Sequence, residues 1–137
     1  EDVMVTAFYK AFLKIDQFEP YGSFEGWLRR IMVRECISYL RVKKNQFKTS
    51  ELGDNHLSQT PSLSYLDDVQ DIRQAIDALP LGCKTVFNLY IIEGYKHREI
   101  SELLNVSIGT SKSQLAHAKK LLKIYLKQFN SETYGTK

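Results

Sequence analysis

One short segment of the chain carries side chains that could read duplex DNA. Lysine reaches phosphates or guanine edges, glutamine can pair with adenine through two hydrogen bonds, and alanine can touch a thymine methyl group. Residues 111–122 supply all three types on one predicted helix, and no acid interrupts the basic run from Lys112 to Lys127. At about 100° per residue, one face is centred on Ser113, Ala116, His117 and Lys120, and Lys112 and Gln114 flank it as further candidate contacts.

A helix-turn-helix is the element that would position this face. Ile100 gives a first helix its apolar side, and Asn105 tolerates the left-handed backbone that a tight turn needs. Ser107 is a favourable N-cap for the second helix. Spacings of four, three and four predict which side chains face inward: Ser111, Leu115, Ala118 and Leu122. A solvated helix face would carry similar lysines, but the turn and the inward pattern favour DNA.

Composition indicates an ordinary globular protein and argues against several classes of function. The chain has 137 residues, 43% hydrophobic and 26% charged, with a formal net charge of +3, which suits one large or two small domains. No apolar run reaches membrane-spanning length, so we expect no membrane insertion. Cys36 and Cys83 lack zinc or disulfide spacing and are predicted to be buried thiols, which suits a reducing cytoplasm.

Apart from the DNA-reading face, the sequence shows no group of residues with the spacing of a catalytic or metal-binding site. We find no paired carboxylates at metal-ligand spacing, no nucleophile and base, and no phosphate loop. We therefore predict no enzymatic activity, no metal and no cofactor. The chain also opens in the middle of a helical pattern, at Glu1, and we expect it to be a fragment that lacks its start.

The first part of the chain reads as two amphipathic helices around a turn. Phe8 is predicted to be a core residue of the first helix, which ends near Phe18. Residues 19–23 contain Pro and Gly and predict a turn, with Tyr21 on it. A second helix is predicted over residues 24–44, with Trp27 as a core aromatic. Arginines and a lysine form one stripe along it: Arg30, Arg34, Arg41 and Lys44.

The helical spacing of apolar residues is lost after residue 44 and returns near residue 67. Residues 45–66 are polar, and 22 extended residues could span at most about 75 Å. Helical pattern then resumes, broken by Pro80 and by Gly94. The predicted fold is all-α: two small helical domains, residues 1–46 and 67–137, joined by a flexible linker over residues 47–66. The second domain has four helices, including the helix-turn-helix.

Two blocks of sequence, in this order, resemble a bacterial RNA polymerase sigma factor of the small extracytoplasmic-function class. EDVMVTAFYKAF and SFEGWLRRIMVRECISYLRVKK resemble the domain that recognises the promoter −10 element. ALPLGCKTVFNLYIIEGY and the following GTSKSQL resemble the domain that reads the −35 element. The resemblance covers nearly all the chain outside the linker. It implies a cytoplasmic protein that joins core RNA polymerase, recognises and opens promoter DNA, and is held by an anti-sigma factor.

The same resemblance assigns roles in the first domain. It implies that residues 19–23 capture an unstacked base, for which Tyr21 offers a stacking surface. Asp2 and Val3 match a helix that contacts core polymerase. Lys43 and Lys44 would join the side chains implied for −10 recognition and melting: Tyr21, Ser23, Arg30, Arg34, Ser38 and Arg41.

The chain departs from the family pattern at several positions. Lys96 replaces a serine N-cap, and we expect the loss of a capping box with Glu99. The other departures are Val5, Thr6, Arg34, Ser38 and His117. The competing hypothesis is a helix-turn-helix regulator that binds DNA without polymerase. Such regulators generally pair to read two half-sites, and the sequence shows no coiled-coil heptads.

Overall fold

The chain forms two compact helical units in a computed structural model that describes residues 2–49 and 68–134. The units comprise residues 1–52 and 53–137. All the regular structure in the described residues is helical, so the predicted all-α class with two helical units is confirmed. Most of the predicted linker, from residue 50 onward, lies outside the described residues.

The first unit pairs two helices of unequal length. α1 spans Asp2–Leu13, a short 3₁₀ turn spans Ile15–Gln17, and α2 spans Phe24–Thr49. α1 packs along α2, and the small side chains of Ala7 and Ala11 are buried. Lys10 Nζ lies 2.7 Å from Glu35 Oε1 and ties the two helices at the surface. Such an exposed ion pair contributes about 0–1 kcal/mol, so packing carries most of the contact.

Three expectations for this unit are corrected by the structure. Phe8 is not a core residue, because its side chain is 49% exposed and α1 turns its alanines toward α2. Cys36 is exposed, whereas its neighbour Ile37, about 100° further round the helix, is buried. α2 runs to Thr49 rather than ending at residue 44. Since no Gly or Pro occurs between Gly26 and Gly53, the backbone can stay helical after the apolar pattern fades.

The two thiols should react at very different rates with an alkylating reagent. Cys36 is exposed, while Cys83 is buried in the second unit and burial raises the pKa of its thiol. Less of Cys83 is therefore thiolate, the reactive form, at neutral pH. Timed iodoacetamide labelling followed by peptide mass spectrometry should find Cys36 modified first and Cys83 only on unfolding. Equal labelling rates in the folded protein would contradict this arrangement.

The second unit is a bundle built around its last helix. α3 spans Asp68–Asp77, α4 Leu81–Phe87, α5 His97–Leu104 and α6 Ile108–Tyr134, and α6 packs against the other three. The buried apolar side chains of this unit come from every helix: Ala75, Leu79, Cys83, Val86, Leu89, Ile100, Leu115 and Ala118. None of the helices in the described part of the chain is long and apolar enough to cross a membrane.

A π-helical segment, Asn88–Ile92, follows α4 and redirects the chain toward α5. The Glu93 N–H donates to Asn88 O at 2.9 Å, five residues back, and the Tyr95 N–H donates to Leu89 O at 2.9 Å. Gly94 has a φ of 75°, a conformation that favours glycine. The predicted break at Gly94 is confirmed, and the wider turn brings Tyr90 beside the first residue of α5.

Candidate nucleic-acid interface

Ser101 stabilises the turn between α5 and α6 through two hydrogen bonds to Val106, one involving its backbone carbonyl and one its side chain. Asn105 adopts the left-handed conformation predicted for it, with φ 53° and ψ 51°. Ser101 O accepts the Val106 N–H at 3.1 Å, and Ser101 Oγ donates to Val106 O at 2.6 Å. The first of these is the six-to-one hydrogen bond of a Schellman motif. The angle between α5 and α6 is therefore set by local hydrogen bonds as well as by packing.

The start of α6 is capped as the sequence predicts. Ser107 Oγ accepts the Thr110 N–H at 3.0 Å and lies 2.8 Å from Thr110 Oγ1. This satisfies one of the N–H groups that a helix start leaves without a partner. The confirmed cap fixes the first turn of α6, the part of a recognition helix that enters the DNA groove.

The capping box predicted to be lost at α5 is half retained. The Lys96 N–H donates to Glu99 Oε2 at 2.8 Å. The other half is missing because an ammonium group has no lone pair with which to accept the Glu99 N–H. The expectation that Lys96 removes the whole box was therefore wrong, since the carboxylate half needs no acceptor at the N-cap.

The inward and outward faces of α6 lie as predicted. Ser111, Leu115 and Ala118 are buried and Leu122 is half-buried, which confirms the inward set. The proposed DNA-reading face consists of six side chains. Gln114 is half-buried, and the other five are exposed: Lys112, Ser113, Ala116, His117 and Lys120. Exposed Lys119, Lys123 and Lys127 extend the positive charge along the same helix.

Gln114 is held against the start of α4. Its Oε1 accepts from Cys83 Sγ at 3.0 Å, and a Cβ on Gly82 would lie 3.4 Å from the same oxygen. Because the raised pKa keeps the Cys83 thiol protonated, it remains a donor. The Gln114 NH₂ group supplies two donors, and its carbonyl oxygen has a second lone pair beyond the one that this contact uses. No pattern in the sequence indicates this contact, which joins residues 31 positions apart.

A second contact that sequence reasoning missed joins α6 to the π-helical segment through His97. His97 Nδ1 lies 2.9 Å from Ser111 Oγ, and its ring stacks on Tyr90 with centroids 4.5 Å apart. Ser111 is fully buried, at 0% exposure. Only the polar type of Ser111, in an otherwise apolar inward row, could have indicated a buried partner.

The turn before α2 presents one aromatic ring to solvent and packs three others together. Phe18, Phe24 and Trp27 have ring centroids 5.4–5.8 Å apart, and Trp27 is half-buried in this cluster rather than fully buried as a core aromatic. Tyr21 is 100% exposed. The Gly22 N–H donates to Glu19 O at 3.0 Å and closes the turn. The loop therefore presents the Tyr21 ring to solvent, where it is accessible for stacking.

The predicted −10 residues lie at the start of α2 and along it. Ser23 caps the helix, its Oγ accepting the Gly26 N–H at 3.2 Å. Tyr39 is also exposed, with the Lys43 ammonium 5.3 Å from its ring centroid. Four exposed side chains follow at spacings of four, four and three: Arg30, Arg34, Ser38 and Arg41. This spacing places them along one side of α2.

The predicted polymerase-contact residues begin α1. Asp2 is exposed and Val3 is half-buried. Thr6 Oγ1 donates to Asp2 O at 2.8 Å, so one of the residues that departs from the family pattern is engaged within the helix. Val5, the second such residue in α1, is 65% exposed and adds apolar surface near the start of the helix.

Comparison with known proteins identifies both units. The Sigma-70 region 2 model matches residues 1–46, and the Sigma-70 region 4 model matches residues 69–122. Together they cover most of the chain in the order that its two units follow. The chain belongs to the sigma-70 family, and similar proteins place it in the extracytoplasmic-function class.

Individual relatives agree with this assignment. The ECF RNA polymerase sigma factor SigE of Mycolicibacterium smegmatis is 29% identical over 97% of this chain and 54% of its own length. The RNA polymerase sigma factor SigV of Bacillus subtilis is 29% identical over 91% of this chain and 74% of its own. The sigma factor RpoE of Bartonella quintana, solved with the anti-sigma factor NepR, is 27% identical with a TM-score of 0.57. That match covers 92% of this chain and 79% of RpoE.

Proposed function

We propose that this chain is a sigma factor that directs core RNA polymerase to promoters through −10 and −35 elements. The observation that carries the proposal is that one chain matches both sigma-70 region 2 and sigma-70 region 4. Each of the two matching units also exposes side chains suited to binding nucleic acid. Sigma factors are not enzymes, and the protein has a specificity role beside a catalytic polymerase in the cytoplasm. An anti-sigma factor, such as the one bound to the similar RpoE, is a further partner.

The second unit reads the −35 duplex with the exposed face of α6. Lys112 and Lys120 supply charge for phosphates, and His117 is exposed three residues before Lys120. Ala116 offers a methyl group to thymine, and Gln114 offers its NH₂ group to an acceptor on a base edge or a phosphate. The capped first turn of α6 holds Ser113 at the end that approaches the bases, with its Oγ donating to Thr110 O at 3.0 Å.

The first unit recognises and opens the −10 element. The arginines along α2 bind phosphates, Arg34 and Ser38 lie beside the −10 strand, and the exposed ring of Tyr21 stacks on a base that leaves the duplex. Ser23 fixes the loop carrying Tyr21 to the start of α2. Asp2 and Val3 on α1 contact core polymerase.

Replacing Tyr21 by alanine should impair promoter opening more than initial promoter binding. Base stacking on an aromatic ring is worth about 1–3 kcal/mol, and only the melted strand can use it. We expect the open complex formed with core polymerase to fall roughly tenfold, measured by permanganate reactivity of unpaired thymines. Closed-complex binding to the duplex should change little.

The matched control for Tyr21 is its replacement by phenylalanine. Phenylalanine keeps the stacking face and loses only the hydroxyl, so promoter opening should be largely retained. Equal losses of closed and open complexes in the alanine variant would argue against base capture by Tyr21.

Association with core polymerase tests the proposed function. The chain should co-elute with bacterial core RNA polymerase from a sizing column as a stoichiometric complex. A regulator that works without polymerase would instead elute separately and bind duplex DNA as a dimer. That outcome would reject the sigma-factor proposal and favour the competing one.

A further inference from the structure

A hydrogen bond to the buried hydroxyl of Ser111 connects the start of the proposed reading helix to α5. His97 Nδ1, at the first residue of α5, lies 2.9 Å from Ser111 Oγ in the first turns of α6. We propose that His97 and Ser111 are a positioning pair, which sets the roll of α6 and thereby the sequence preference of the −35 reading face. This inference rests on the proposed −35 function and assigns to neither residue a contact with DNA.

The burial of Ser111 makes this bond a strong constraint. Its side chain has 0% exposure, and a buried hydroxyl is costly to leave without a partner. The α6 backbone can therefore rotate or slide little without breaking the bond. Because Lys112 and Ser113 are the next two residues, small rotations at Ser111 would redirect the side chains proposed to meet the DNA.

The histidine is itself held in place from its other side. Its ring stacks on Tyr90 at 4.5 Å with an interplanar angle of 22°. Tyr90 belongs to the π-helical segment, whose hydrogen bonds to Glu93 and Tyr95 fix its path. Tyr90 of the π-helical segment therefore contacts His97 of α5, which in turn contacts Ser111 of α6. The stacking on Tyr90 restricts the orientation of the His97 ring.

Side-chain replacements can separate the hydrogen bond from the stacking. His97→Phe keeps a flat ring beside Tyr90 but leaves the Ser111 hydroxyl without its partner. His97→Asn removes the ring and keeps a polar group near the position of Nδ1, which can donate or accept. Ser111→Ala removes the hydroxyl. In the double replacement His97→Phe with Ser111→Ala, no buried polar group is left unsatisfied, so its effect should be smaller than the two single effects combined.

The experiment measures sequence preference rather than affinity alone. A preferred duplex is first selected from random sequences with the unmodified full chain, and binding to it is compared with a scrambled duplex at fixed salt. We expect His97→Phe and Ser111→Ala to lower the preference ratio roughly tenfold while binding to the scrambled duplex stays nearly constant. His97→Asn should retain most of the preference.

A hydroxyl elsewhere in the unit provides the control. Thr85 is half-buried on α4 and its Oγ1 donates to Leu81 O at 2.7 Å. Thr85→Val should lower thermal stability without changing the preference ratio. If His97→Phe and Ser111→Ala behaved like Thr85→Val, the pair would be structural only and the inference would be overturned. If the unmodified chain selected no duplex at all, the proposed −35 function itself would fail, which is a distinguishable result.

Discussion

Replacing Lys112 and Lys120 together by alanine is expected to weaken duplex binding by about 60-fold at 0.1 M salt if each contacts one phosphate. Both side chains are exposed on the proposed reading face of α6. Each neutralised phosphate releases counterions, so the slope of log affinity against log salt should flatten by roughly 0.9 per lysine lost. Fluorescence anisotropy with a labelled duplex, measured across a salt series, gives both quantities.

A second pair of lysines on the same helix is the control for total charge. Lys123 and Lys127 are exposed and lie farther from the turn that begins α6. Their double replacement by alanine removes the same charge and should produce a clearly smaller change in both affinity and salt slope. Equal effects from the two pairs would mean that α6 attracts DNA only through its net charge. That result would contradict the proposal that Lys112 and Lys120 lie on a DNA-reading face.

Replacing Ile100 by alanine is expected to lower the free energy of unfolding of the second unit by about 2–5 kcal/mol. Ile100 is 0% exposed and belongs to α5, which packs on α6. The replacement deletes buried methyl and methylene groups and leaves a cavity where the two helices of the helix-turn-helix meet. Far-UV circular dichroism during heating should show the helical transition of this unit shifted by at least about 8 °C.

The chain contains its own reference for that measurement. Trp27 is the single tryptophan and lies in the first unit, so its fluorescence follows that unit alone and should melt unchanged in the Ile100 variant. Ile92→Ala is the matched surface control, since Ile92 is 56% exposed and its loss should cost less than about 1 kcal/mol. Similar shifts for Ile92 and Ile100 would contradict the packing described for α5.

The helix-turn-helix could be predicted in detail because its signals are local. A left-handed Asn105, a capping Ser107 and an inward row from Ser111 to Leu122 each depend on residues within a few positions of one another. Backbone preferences and the helical repeat suffice to place such features. The division into two helical units followed in the same way from the loss and return of periodicity.

Features that depend on which helix packs against which were not predictable. Phe8 and Cys36 both fit an apolar pattern, but the side chains that α1 and α2 bury are Ala7, Ala11 and Ile37, and both Phe8 and Cys36 are exposed. The Cys83–Gln114 and His97–Ser111 contacts join distant parts of the sequence. A single sequence gives the polarity of such residues but not their partners, so the constraints on the reading face emerged only from the structure.

Promoter-dependent transcription is the decisive measurement for a protein that directs polymerase to promoters. Core RNA polymerase, with or without this chain, would transcribe a library of fragments that carry randomised −35 and −10 elements. We expect transcripts that require the chain and start at a fixed distance from two enriched elements, the upstream one matching the duplex that the chain selects. Identical transcripts with and without the chain, together with duplex binding by a dimer, would instead identify a regulator that acts without polymerase.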